Sequence, residues 1–162
     1  MSIRKVVQLM VGTGRVAEPA PQRPEPLPDR PAELNGTVQI RHVDAGSCNG
    51  CEIEIANAFG PVYDLERYGA RLVASPRHAD VVLVTGVVTH NMQEPLRRTV
   101  EATPRPRLVI AMGDCARNCG IFANCYGVVG AVSDVVEVDL EIPGCPPTPD
   151  AIVRALRSVT GT

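Results

Sequence analysis

Ala79-Asp80-Val81-Val82-Leu83-Val84-Thr85 sets four bulky aliphatic residues in a row between polar neighbours. A strand with one wet face alternates apolar and polar side chains, whereas an unbroken run suits a strand covered on both faces of a parallel sheet. Leu108-Val109-Ile110-Ala111-Met112 repeats the pattern, and between the two runs Gln93 to Ala102 reads as a helix ended by Pro104 and Pro106. Working outward, Val38 to Asp44 reads as a first strand and Glu52 to Phe59 as a helix stopped by Gly60-Pro61. Tyr63 to Gly69 suggests a short helix, Arg71 to Ser75 a second strand, and Val135 to Leu140 a last strand or edge segment. Thr148 to Val159 closes the chain as a helix, with Thr148 as cap and Pro149 in its first turn. Strands alternating with helices predict a doubly wound, flavodoxin-like α/β fold with a mostly parallel sheet.

The 162 residues suit one domain able to bury a real core. Aromatic residues make up only 3% and tryptophan is absent, so that core must come from Val, Ile, Leu and Ala. A net charge of -2 without a concentrated basic run argues against a nucleic-acid binder. No stretch approaches the roughly 18 apolar residues of a membrane helix. Residues 1–35 read as an extension ahead of a domain over 36–162. Within the extension, residues 6–11 form a short apolar run expected to be a strand or helix that docks on a partner. Without a convincing cleavage site nearby, the chain is expected to be unprocessed and cytoplasmic. Six prolines between residues 18 and 32 exclude regular helix and favour an extended tether or arm.

Ligands of doubly wound sheets collect beyond the carboxyl ends of the strands. The cysteine-bearing loops are due there: Cys48 and Cys51 follow the first strand, Cys115 follows the Leu108 strand and Cys145 precedes the last helix. The loop from Gly86 to Met92 should line the same crevice. Six cysteines are too few for a disulfide scaffold of this length, and a reducing compartment disfavours disulfides. Four gathered thiols then suggest a metal centre. Zinc usually takes two local CxxC knuckles, and only one pair here is local. An iron-sulfur cluster accepts scattered ligands, and Cys145-Pro146 matches the Cys-Pro step that closes ferredoxin cluster runs. At this level an iron-sulfur cluster, zinc and no metal all stay open.

The segments GSCNGCEIEI (46–55), SPRHADVVLVTGVVT (75–89), GDC (113–115) and VDLEIPGCPPTPDAI (138–152) together closely resemble the small subunit of membrane-bound, energy-converting group 4 [NiFe] hydrogenases, such as formate hydrogenlyase. They are similar also to the complex I subunit that carries the terminal 4Fe-4S cluster. The resemblance spans about residues 36–159. It implies one 4Fe-4S cluster on Cys48, Cys51, Cys115 and Cys145, with a non-catalytic electron-relay role in an oxidoreductase complex. It further implies a [NiFe] centre on a partner large subunit, a ferredoxin-like iron-sulfur subunit, and membrane subunits that hold the chain peripherally on the cytoplasmic face. Complex I relatives carry two adjacent cysteines at the first position, so the CxxC spacing at Cys48 and Cys51 leans towards hydrogenase. A quinone-reducing or nickel-free complex I-like subunit is the alternative within redox biology, and a zinc-stabilised interaction domain the alternative outside it.

Other residues carry weaker expectations. Glu52 and Glu54 follow the cysteine loop; a solvated first-turn carboxylate is the plain reading, more so for Glu52. Asp44 is expected to close its strand. Gly46, Gly50, Gly86, Gly113 and Gly144 are places where backbone would approach the cluster. His78 is expected to be structural or interfacial, and His42 and His90 are not needed as ligands. Cys119 departs from the glycine usual near its position in the resembling families. It and Cys125 are expected to be buried, inert thiols.

Overall fold

The structure, a computed structural model, describes residues 2–14, 22–28 and 31–162. Its elements in chain order are α1 (Ile3–Thr13), β1 (Val38–Asp44), α2 (Gly50–Ala58), β2 (Ala70–Leu72), β3 (Val81–Thr85), β4 (Val88–Thr89), α3 (His90–Ala102), β5 (Leu108–Met112), α4 (Asp114–Asn118), β6 (Val128–Gly130), β7 (Leu140–Ile142) and α5 (Pro149–Thr160), with short 3-10 turns between them. Five strands form one sheet in the order β2-β1-β3-β5-β7, every neighbouring pair parallel. Counted along the sheet this is the 2-1-3-4-5 order of flavodoxin-like folds, whose switch point lies between β1 and β3.

The aliphatic runs explain the layers. In β3, Val81 and Leu83 face a core shared with Ile55 and Ala58 of α2 and Ile152, Leu156 and Val159 of α5. Val82 and Val84 face the opposite core, with Leu96 and Val100 of α3 and Ala116 of α4. Every residue of β3 and β5 is buried, as expected of strands sandwiched between helices.

Several boundaries differ from expectation; the second strand, expected over 71–75, occupies Ala70–Leu72. The segment from Val135 does not pair: the last strand occupies Leu140–Ile142, because Val135, Val136 and Val138 pack on the α3-side core instead. Just ahead of that strand, the Asp139 carboxylate accepts a hydrogen bond from Val109 N–H at 2.7 Å. The expected loop from Gly86 to Met92 contains β4, which pairs antiparallel with β6, and α3 already starts at His90. The short helix expected at Tyr63 to Gly69 is a 3-10 turn over Leu65–Tyr68.

Ahead of β1, residues 6–11 belong to helix α1, which buries none of its residues. Of the proline-rich segment, positions 18–21 and 29–30 lie outside the described residues. Residues 22–28 have neither helix nor strand; Leu27 packs against the α5-side core and its N–H donates to Ser158 C=O at 3.1 Å. Among the described residues no helix is long and apolar enough to cross a membrane.

Candidate metal centre

Parallel strands deliver their following loops to one edge of the sheet, and here β1, β5 and β7 deliver all four cysteines singled out above. Cys48 lies in the loop after β1 and Cys51 in the first turn of α2. Cys115 lies in the first turn of α4, directly after β5, and Cys145 in the loop between β7 and α5. Cys51 and Cys115 are buried, Cys48 and Cys145 exposed. The sheet edge therefore carries two shielded cysteines and two open ones.

Two aspartates hold the loops. Asp44 Oδ1 accepts from the backbone N–H groups of Gly46 and Ser47, at 2.9 and 2.7 Å, so it shapes the cysteine loop as well as closing β1. Asp114 Oδ1 accepts from Gly144 N–H at 3.0 Å, while Asp114 N–H donates to Gly144 C=O at 2.9 Å. The turn bearing Cys115 is thereby tied to the loop bearing Cys145. Arg117 extends the tie, reaching Asp114 at 3.2 Å and Glu141 at 2.8 Å.

The thiols act on one another. Burial pushes the Cys51 thiol up to about 12; the Glu52 carboxylate adds to this, followed by Cys115, Cys48 and Cys145. Cys115 is also pushed up, first by burial, then by Cys145 and Cys48, and its sulfur is within hydrogen-bonding reach of Cys145. Both shifts oppose ionisation of the buried sulfurs, and a bound cation would favour it. Among the described residues no group of three or more His, Cys, Asp or Glu is arranged to hold a single metal ion.

Glycine lets the chain pass close to the Cys51 sulfur at Gly113. Its φ of +89° is a region other residues resist, and a Cβ there would lie 2.7 Å from Cys51 Sγ. The other glycines divide. A Cβ at Gly50 would meet Cys48 Sγ at an ordinary 3.6 Å, whereas Gly46, Gly86 and Gly144 face protein backbone or non-cysteine side chains. A cavity of about 850 Å³ beside α3, lined by Arg97, Glu101 and Asp139 among others, has no cysteine in its wall and lies outside this chemistry.

Several expectations are corrected. Glu52 is not a solvated first-turn carboxylate. Its Oε2 accepts from Ser47 Oγ at 2.7 Å and its Oε1 from the Thr85 hydroxyl, with His42 Nε2 at 3.5 Å. Glu54, by contrast, meets only Asn57 through a 3.4 Å contact near the surface. Thr85 was not singled out in the sequence; its signal is a polar residue ending an otherwise aliphatic strand, and it is fully buried. Cys119 is partly exposed and Cys125 exposed, so neither is the buried thiol expected. Cys119 ends α4 with a left-handed φ of 66°, and Cys125 follows Asn124, which has φ 65°; both turns carry the chain outward. His90 is exposed, at the start of α3.

With this geometry in place, comparison with known proteins is decisive. Residues 48–159 match the model of the NADH ubiquinone oxidoreductase 20 kDa subunit family. The chain belongs to this family. Among its relatives, formate hydrogenlyase subunit 7 of Escherichia coli strain K12 is 43% identical over 129 residues, covering 80% of this chain and 51% of the relative. The probable membrane-bound hydrogenase subunit mbhJ of Pyrococcus furiosus is 46% identical over 117 residues, covering 72% of this chain and 70% of the relative. The chain thus spans about half the length of the first and more than two thirds of the second. Among solved structures, a chain of the membrane-bound sulfane sulfur reductase, an archaeal respiratory membrane complex, superposes with a TM-score of 0.67 at 31% identity, covering 80% of this chain and 73% of that one. An NAD+-reducing [NiFe]-hydrogenase chain shares the fold, with a TM-score of 0.57 at 22% identity, over 72% of this chain and 86% of that one.

Proposed function

We propose that this chain is an electron-relay subunit holding one 4Fe-4S cluster on Cys48, Cys51, Cys115 and Cys145, beside a [NiFe] centre on a partner large subunit of a proton-reducing or hydrogen-oxidising complex. The observation that carries the reading is that β1, β5 and β7 deliver four cysteines to one edge of the sheet, with Cys51 and Cys115 buried there and Gly113 passing close to the Cys51 sulfur. Thiolates are the donors such clusters take, and ligands drawn from three separate loops suit a cluster better than zinc, which usually takes two local pairs. When bound, the cluster supplies one-electron transfer. The chain's part is to hold it through four sulfurs, to fix the loops through Asp44 and Asp114, and to keep water from Cys51 and Cys115.

A partner would cover the exposed sulfurs. Cys48 and Cys145 are exposed, as are the large apolar side chains of Ile53, two residues after Cys51, and of Ile121 and Tyr126 in the chain that follows α4, at 55%, 83% and 102%. In this reading the large subunit seats there, a ferredoxin-like subunit takes the electrons onward, and membrane subunits hold the whole at the cytoplasmic face. Residues 1–35 stand ahead of the cluster domain as an extension available to a neighbouring subunit.

Anaerobic purification with co-purifying subunits tests the reading. The expected product is brown, with about four iron and four sulfide per site. Cys115→Ser loses this iron and Cys119→Ser keeps it. A colourless chain with stoichiometric zinc, or a cluster retained without Cys115, overturns the assignment. The 31% identity to a sulfane sulfur reductase chain favours a second reading, a complex I-like subunit whose large partner lacks nickel. Nickel measured in the purified complex separates the two.

A further inference from the structure

His42 and Thr85 lie on adjacent parallel strands, β1 and β3, and both reach the carboxylate of Glu52 in the first turn of α2. His42 Nε2 lies 2.9 Å from Thr85 Oγ1. Because the single hydroxyl proton of Thr85 goes to Glu52 Oε1, the imidazole must supply the proton of the His42–Thr85 contact, giving a directed chain from His42 through Thr85 to Glu52. Ser47 Oγ fixes the other oxygen at 2.7 Å. The Glu52 side chain is 19% exposed, so water screens it little. A surface carboxylate needs no such cradle; this one is held from two strands and from the cysteine loop itself.

We propose that His42 and Thr85 are positioning residues that clamp the Glu52 carboxylate as a fixed negative charge beside Cys51, and that this charge sets the reduction potential of the cluster. The inference rests on the cluster reading above. Adding an electron to a group already ringed by thiolates is opposed by a nearby carboxylate, and the opposition grows as the local dielectric falls. The field of Glu52 reaches the Cys51 sulfur. A carboxylate freed from its clamp turns towards solvent, where its effect on the cluster is screened.

The test is a redox titration of the protein purified anaerobically with its co-purifying subunits, following the electron paramagnetic resonance signal that Cys51→Ser abolishes. Glu52→Gln is expected to raise the midpoint potential. Thr85→Val and His42→Phe are expected to move it in the same direction by less, with Thr85→Ser restoring the wild-type value. A merely structural clamp would alter yield or stability and leave the midpoint alone. Wild-type midpoints in Glu52→Gln and Thr85→Val, at unchanged iron content, overturn the proposal. Should Glu52→Gln fail to retain iron, the Thr85→Val and Thr85→Ser pair decides by itself. An iron-free wild type overturns the cluster reading, and this inference with it.

Discussion

At Gly113 the absence of a methyl group lets the chain pass close to the Cys51 sulfur. Substitution by Ala brings two faults together: a left-handed φ of +89°, and a Cβ 2.7 Å from Cys51 Sγ. The first costs about 1 kcal/mol or more, and the second displaces a sulfur that no flexible neighbour can replace. Gly113→Ala is expected to fold yet bind at most a small fraction of the wild-type iron, as measured by iron and sulfide content against circular dichroism. At Gly127 the same change meets nothing within 4 Å and is the matched control. That the loops bearing Cys48, Cys51, Cys115 and Cys145 leave one edge of the sheet was legible from their placement relative to the aliphatic runs. The part played by Glu52 was not, because its partners Thr85 and His42 sit on strands whose adjacency only the folded sheet creates. Cys125 was misjudged for a related reason: thiols are commonly buried, and nothing local announces the two left-handed turns that expose this one.

Among the elements, α5 shows how little of a helix's stability needs the site. Pro149 fits its first turn, the Thr148 hydroxyl accepts from Ala151 N–H at 3.4 Å, and Ile152, Leu156 and Val159 are fully buried against the sheet. Leu156→Ala is expected to lower unfolding free energy by about 2–5 kcal/mol, read by urea denaturation, while iron content per folded chain stays at the wild-type level. The cap and the apolar spacing made this helix readable. So did the uninterrupted aliphatics of β3 and β5, whose pattern admits no wet face. The segment before β7 misled because its valines resemble a strand by composition; they face the α3-side core from irregular backbone, and pairing begins only at Leu140. β4 and β6, of two and three residues, are too short to leave any periodic signal.

For the whole molecule, the two aliphatic cores sit on opposite faces of the sheet, and of the six cysteines only Cys51 takes part in either. Packing and the four proposed ligands are therefore largely separate. Removing the cluster by chelation under oxidation is expected to bleach the protein while far-ultraviolet circular dichroism changes little. Hydrogen exchange is expected to quicken in the loops around Cys48, Cys115 and Cys145 and to stay slow in β3 and β5. Collapse of the entire spectrum on bleaching would mean that the metal centre, and not the aliphatic sheet, stabilises the fold.

The parallel sheet order has a further consequence in time. β1, β5 and β7 contribute the sulfurs, and no two of these segments are consecutive in the chain. A growing polypeptide holds the Cys48 and Cys51 pair early but lacks a closed site until β7 has docked beside β5 and Cys145 has followed it. Such distant pairings form late in folding because loop closure precedes any gain from contact. In the proposed reading, metal delivery to this chain waits on a finished sheet, with the early thiol pair left open to oxidation until the last strand arrives.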